Sequence, residues 1–196
     1  NYITSVNVFV TQAVKLNVFV LTYSLGKMGV PVCCADTRSY THTRLSRFCR
    51  DYSTYPGPLI DPEGYLKAIN TLITRHEIGL LFPSYDEVIY LSRHRERLIN
   101  PRVLIAPPFE TIMQVHRKTS LYELCHLLGC NAPVTLELKD PSDIDRALSR
   151  LAFPLVLKPE RGGGGWGITF IENADEFIVQ WQAFDTEKHK NRLFAQ

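Results

Sequence analysis

The chain has 196 residues, of which 45% are hydrophobic, and its formal net charge is +2. This length allows one large domain or two small ones, and the composition supports a real core. The nearly balanced charge leaves no electrostatic footprint that would point to nucleic acid or a membrane surface. We therefore expect neither partner.

Cysteine and histidine usage indicates the compartment. The five cysteines are scattered without a Cys-x-x-Cys pair, and the six histidines show no metal-ligand spacing. We therefore expect free thiols in a reducing compartment and no metal site within this chain. The apolar stretch LNVFVL is too short to span a bilayer, and no basic segment marks a signal peptide. The sequence predicts a cytoplasmic protein.

The first half of the chain alternates strand and helix patterns. Short apolar runs at 6–11, 30–36, 78–84 and 102–107 predict four buried strands. Helical spacing separates the first two, with Gly29 at the expected helix end. A second helix begins at Asp61 and Pro62, and a third follows residue 84. This order predicts the α/β class: a Rossmann-like parallel sheet with right-handed crossovers.

Ligands of such sheets bind beyond the carboxyl ends of the strands. That edge carries Asp36 and the segment PSYDE at 83–87. The intervening arginines and tyrosines of 38–55 could form a nucleic-acid strip, but a long solvated loop fits the low net charge better.

The second half begins after Pro107 and Pro108. Two helical pieces are expected near 109–117 and 119–128, then a strand at 134–138 and a helix opened by Asp140 and Pro141. Strands at 154–158 and 167–171 are joined through consecutive glycines, and a helix near 174–188 leads to a last strand, RLFAQ. The predicted division is a sheet domain at 1–107, a helical segment at 108–132 and a second part of strands and helices at 133–196, which the resemblance described below makes an incomplete lobe.

The stretch LVLKPERGGGGWGITFI allows three phosphate-binding designs. Gly162, Gly164 and Gly167 formally satisfy a dinucleotide fingerprint, but that site requires a helix where the strand-like ITFIE follows. A Walker loop would need a lysine where Ile168 stands. The third design is a hairpin flap whose bare amides cover phosphate oxygens, with Lys158 on the incoming strand. A tight loop without a ligand is the structural alternative.

Together with the segments GVPVCCADTRSYTHTRLSRFCRDYSTYPGP, EIGLLFPSYDEVIYLSRHRERL and RVLIAPPFETIMQVHRKTSLYELCHLLGCNAPVT, this stretch resembles the ATP-grasp ligases. The resemblance spans nearly the whole chain. It implies a pre-ATP-grasp sheet domain followed by the N-terminal lobe of an ATP-grasp fold. The resemblance depends mainly on the order of the parts along the chain, which are a sheet domain, a helical segment with a lysine, a strand that ends in a lysine, and a glycine flap.

The resemblance also implies roles for particular residues. Lys118 and Lys158 match the two lysines that face the nucleotide, and the flap glycines that match are Gly163, Gly164, Gly165 and Gly167. An ordinary solvated helix lysine is the structural alternative for Lys118. Acidic positions like Asp86 and Glu87 face the acceptor pocket in relatives, whereas helix capping would explain them without a ligand. Arg47 could meet a substrate carboxylate.

The implied activity is an ATP-dependent carboxylate–amine ligase that works through an acyl phosphate. Its partners would be ATP, a small carboxylate and an amine or other nucleophile. The relatives carry their Mg²⁺ ligands in a lobe that would follow residue 196, so this piece alone is expected to be inactive. The first strand also lacks the glycine turn that is frequent in relatives. A non-catalytic nucleotide-binding module and a dinucleotide-dependent oxidoreductase are the alternatives.

Overall fold

The computed structural model describes residues 6–160, 165, 167–184 and 193–196. It divides the chain into two compact units, Asn1–Ile112 and Met113–Gln196. The finer division into three parts, with boundaries at residues 107 and 132, stays a prediction.

The first unit is built on a four-stranded sheet. Its strands are β1 (Asn7–Val10), β2 (Val32–Asp36), β3 (Cys49–Thr54) and β4 (Ile78–Phe82), in the spatial order β3-β2-β1-β4. All three neighbouring pairs are parallel. The predicted parallel α/β sheet is therefore confirmed, and three of its strands occupy the predicted segments.

Three helices accompany this sheet: α1 (Leu16–Lys27), α2 (Pro62–Arg75) and α3 (Glu87–Arg93). The predicted start of α2 is confirmed, because the Asp61 carboxylate accepts a hydrogen bond from the Gly64 amide at 2.9 Å and Pro62 needs no amide partner. Gly29, just beyond α1, has φ +80°, a conformation that glycine adopts without strain.

Both faces of this sheet are covered. Along β1, Phe9 belongs to one buried cluster with Leu66 and Ile69 of α2. Its neighbours Val8 and Val10 belong to another cluster, with Val18 of α1. Successive strand residues point to opposite faces, so a parallel strand between two helical layers is apolar at consecutive positions. This explains the unbroken apolar runs in the sequence.

Two predictions for this unit are wrong. The segment 38–55 is not one solvated loop, because Cys49–Thr54 forms the edge strand β3 and Tyr55 is buried. The predicted strand at 102–107 is a single-turn 3-10 helix at Pro101–Val103, followed by one parallel bridge between Leu81 and Leu104. The Arg95 guanidinium donates to the carbonyls of this segment, including that of Leu104 at 3.2 Å. A side chain thus takes acceptors that a strand ladder would use.

The remaining helices and strands follow the predicted order. They are α4 (Phe109–His116), α5 (Lys118–Leu127), β5 (Leu136–Leu138), α6 (Ser142–Arg150), β6 (Leu155–Pro159), β7 (Thr169–Ile171), α7 (Ala174–Ala183) and β8 (Leu193–Ala195). The predicted end of the last helix, 185–188, lies outside the described residues.

The second unit is built on an antiparallel sheet in the order β5-β8-β6-β7. Leu155 and Leu157 of β6 are buried with Ala147 of α6 and Phe177 of α7, so one face of the sheet carries these two helices. Lys158 is paired directly with Phe194 of β8. The strand alternation places this pair on the opposite face.

None of the described helices has the length and apolarity needed to cross a bilayer. The five cysteines are free thiols, of which Cys33 and Cys34 are buried and Cys130 is exposed.

Candidate functional site

The glycine segment joins two antiparallel strands. Leu155, Val156 and Leu157 of β6 pair with Ile171, Phe170 and Thr169 of β7. A strand therefore follows the glycines, and the helix that a dinucleotide site requires at this point does not. The local geometry is that of a hairpin.

Two of the four predicted flap glycines can be placed. Gly165 and Gly167 have φ values of +83° and +72°, which residues with a Cβ rarely adopt. A Cβ on Gly167 would also lie 3.0 Å from Pro159 Cγ, whereas one on Gly165 would meet no atom within 4 Å. Gly163 and Gly164 lie outside the described residues.

Lys158 is held by a series of polar contacts on the face of the sheet opposite α6 and α7. Its ammonium donates to Oε1 of Gln196. The amide nitrogen of Gln196 in turn donates to the Thr135 hydroxyl at 2.9 Å. Because the Gln196 side chain is neutral, these contacts orient the Lys158 ammonium without neutralising its charge.

Lys118 begins α5, and its ammonium donates to the main-chain oxygen of Glu160 at 2.8 Å. This bond ties the start of α5 to the residue that follows β6. Partial burial lowers the pKa of Lys118, and the nearby Glu160 carboxylate opposes the shift. The structural alternative, a freely solvated helix lysine, is wrong for this residue.

The charge of Lys118 acts on Lys158. The pKa of Lys158 is lowered first by partial burial and then by the positive charge of Lys118. Two half-buried ammonium groups that repel each other are suited to an anion that neutralises both. The structure thus brings together the two lysines that the sequence singled out, at the end of β6.

A second polar cluster lies at the carboxyl edge of the parallel sheet. Glu87 is 3% exposed. Its carboxylate accepts hydrogen bonds from the hydroxyls of Tyr65 at 2.7 Å and Tyr55 at 3.0 Å. Burial raises the pKa of Glu87, and the tyrosine hydroxyls oppose that rise. The Glu87 carboxylate thus binds these side chains, and the residue also stands in the first turn of α3, where the helix-dipole alternative places an acidic residue.

Tyr55 extends this cluster to the end of β1. Its hydroxyl oxygen accepts a hydrogen bond from the Gln12 amide at 2.9 Å, and Gln12 has φ +53°. A non-glycine residue in a left-handed conformation therefore makes this turn. Nearby, the buried Asp36 carboxylate accepts from the Val14 amide at 2.8 Å and the Arg38 amide at 3.0 Å.

The other two predicted substrate residues lie apart from this cluster. Asp86 is exposed and stands at the N-cap position of α3, where its side chain makes no capping hydrogen bond. Arg47 is exposed, with its guanidinium carbon 4.8 Å from the centroid of the Phe48 ring. Sequence reasoning missed Tyr55 and Tyr65. Their positions, one after a polar strand and one on a helix, gave no signal that they share a carboxylate.

No group of three or more histidine, cysteine or acidic side chains suited to a metal ion occurs in the described part of the chain.

Comparison with known proteins agrees with this architecture. No family model matches the chain. A stretch of 64 residues is 33% identical to a D-alanine--D-alanine ligase of Pseudomonas fluorescens, covering 33% of this chain and 20% of that enzyme. Among solved structures, N5-carboxyaminoimidazole synthetase from Staphylococcus aureus, complexed with ADP, has a TM-score of 0.73 at 17% identity over 98% of this chain. An L-amino acid ligase from Bacillus licheniformis has a TM-score of 0.70 at 15% identity, also over 98% of this chain.

The 196 residues correspond to 47% of the synthetase and 44% of the amino acid ligase. The chain thus spans less than half the length of the proteins that it matches.

Proposed function

We propose that this chain, which has the fold of the ATP-grasp ligases, is the ATP-phosphate-binding part of a carboxylate–amine ligase. The observation that most strongly supports this proposal is the pair of half-buried ammonium groups of Lys118 and Lys158. They lie beside a strand that leads into a glycine hairpin. The ligase class rests on the relatives, all of which are ATP-grasp ligases.

The fit of this site to a triphosphate can be argued from the residues themselves. Both lysine pKa values are lowered, so the free protein bears an electrostatic cost that a bound polyanion would remove. Gly165 and Gly167 have positive φ values and no Cβ of their own to screen their backbone amides. Gly163 and Gly164 are proposed to extend the same flap.

The difficulty of the reaction is charge, because a carboxylate must approach a polyanionic triphosphate. Lys158 and Lys118 would hold and partly neutralise the phosphates. Gln196 and Thr135 would hold the Lys158 ammonium in position. When bound, ATP with Mg²⁺ would supply the phosphoryl group that activates the carboxylate as an acyl phosphate.

Hydrogen exchange in the full-length protein tests this function. We expect ATP to protect the backbone of residues 160–168, because the flap amides would donate to phosphate oxygens. NAD serves as the control. Protection by NAD and not by ATP would favour an oxidoreductase and contradict the proposal.

A non-catalytic nucleotide-binding module would show the same protection. Formation of ADP and phosphate that requires both a carboxylate and an amine distinguishes the ligase from such a module. ATP binding without any such turnover over a panel of carboxylates and amines would favour the module.

A further inference from the structure

The first unit contains a cavity that the proposed nucleotide site does not use. It lies between the start of α1 and the segment 42–48 and has a volume of about 680 Å³. Cavities of this size hold small organic molecules. One wall begins directly after the carboxyl end of β1, at the sheet edge where ligands of parallel sheets bind. The other wall, the segment 42–48, connects β2 to the amino end of β3.

The charged side chains that line this cavity are the cations Lys15 and Arg47, and no acidic residue lines it. None of the ion pairs among the described residues involves Lys15 or Arg47. The two cations lie over aromatic rings instead: Lys15 Nζ is 4.2 Å from the centroid of Tyr85, and Arg47 lies over Phe48. Both charges are thus positioned without being neutralised by a carboxylate.

The rest of the lining is apolar and fixed in place. The rings of Tyr23 and Phe48 meet edge to face, with centroids 5.4 Å apart. Phe48 packs so closely on α1 that a Cβ on Gly26 would lie 2.4 Å from its side chain. Only a glycine at position 26 lets Phe48 approach the helix this closely, so the position of the aromatic wall depends on Gly26.

A hydrogen bond also joins the segment 42–48 to the turn between β1 and α1. The buried Thr43 hydroxyl donates to the Ala13 carbonyl at 2.6 Å. A hydrogen bond between two buried groups holds the segment against the end of β1. The cavity is therefore a built feature of the unit and not the gap beside a loose loop.

We propose that this cavity binds a small organic carboxylate that carries an apolar or aromatic group. The carboxylate would lie between Lys15 and Arg47, and the apolar group would pack on Tyr23 and Phe48. The assignment of this ligand as a substrate rests on the proposed ligase function, because such an enzyme activates a carboxylate. Binding itself requires only the charges and the walls described here.

Three probes with one apolar body test the charge selectivity in the full-length protein. Calorimetry would compare 4-phenylbutyrate, its neutral amide and 4-phenylbutylamine, with inorganic phosphate as an anion that lacks the apolar group. We expect the carboxylate to bind at least tenfold more tightly than the amine and more tightly than phosphate. Equal affinities for the carboxylate and the amine would overturn the proposal, as would tighter binding of phosphate.

Substitutions then locate the site. Arg47→Gln should weaken 4-phenylbutyrate binding about threefold to tenfold, since a partly exposed charge pair is lost. Arg50→Gln is the matched control, because Arg50 is exposed in the same region but does not line the cavity. Gly26→Ala should also weaken binding by displacing Phe48. An unchanged affinity in Arg47→Gln, or an equal loss in Arg50→Gln, would overturn the assignment.

The same protein separates this inference from the proposed function. 4-Phenylbutyrate should protect residues 14–23 and 42–48 from hydrogen exchange without ATP, and Lys158→Met should leave that binding unchanged. ATP binding with no carboxylate binding would refute the cavity assignment and leave the nucleotide site standing. Carboxylate binding without ATP binding would refute the nucleotide site and leave the cavity assignment standing.

Discussion

The ammonium of Lys118 donates to the main-chain oxygen of Glu160 at 2.8 Å. This bond joins the first residue of α5 to the position directly after β6, so a helix and the lysine-bearing strand are fastened at one point. The charge of Lys118 then lowers the pKa of Lys158, which lies two residues before Glu160.

The charge of Lys158 should be essential for nucleotide affinity. Lys158→Met is expected to weaken ATP use about tenfold or more, because a charged hydrogen bond to phosphate is lost. ATP titration and steady-state kinetics of the full-length protein measure this. Lys139→Met is the control, since Lys139 is exposed and pairs with Glu137 at 3.0 Å. Unchanged ATP kinetics in the Lys158 variant would count against the site.

As the pH rises, the affinity for ATP should begin to fall at a lower pH than it would if Lys158 had the ordinary lysine pKa. The pKa of Lys158 lies below its usual 10.5, so the ammonium that attracts phosphate loses its proton earlier as the pH rises. In ATP titrations, the loss of affinity should begin below the pH at which a lysine with a pKa of 10.5 is deprotonated, with ATP itself fully ionised. Lys158→Arg keeps its charge and should make the profile shallower, and the remaining loss comes from Lys118, whose pKa is also lowered. Parallel profiles for the two proteins would contradict this expectation.

Glu87 should make stability depend on pH. Its folded-state pKa is raised above 4.5, so the unfolded chain releases this proton first as the pH rises. Stability is therefore lost as the pH passes from 4.5 up to the folded-state value, and the loss is complete above it. Glu87→Gln removes the titration, and the difference in free energy of unfolding between variant and wild type should change across that window. A difference that stays constant with pH would refute the assignment.

Tyr55 should stabilise both Glu87 and the turn at Gln12. Tyr55→Phe removes a donor to the buried carboxylate and the acceptor of the Gln12 amide. The expected loss is about 2–4 kcal/mol of unfolding free energy, since the buried Glu87 carboxylate and the half-buried Gln12 amide each lose a partner. Urea denaturation measures it, with the exposed Tyr40→Phe as the matched control. Equal stability of both variants would show that the cluster contributes little.

The sequence by itself determined the alternation of strands and helices, because apolar periodicity and caps such as Asp61 act within a few residues. It also singled out Lys118 and Lys158 through their resemblance to a known family. Tertiary structure decided the rest. The polar strand β3 exists because β2 offers it a partner, and 102–107 is not a strand because Arg95 takes its carbonyls.

The partners of Glu87 could be found only in three dimensions. Tyr55 and Tyr65 lie 32 and 22 residues from it in the chain. No local pattern encodes which hydroxyl will meet which carboxylate, since that depends on how strands and helices pack. The cavity beside α1 has the same origin: its charges and its aromatic wall come from segments that only the folded sheet brings together.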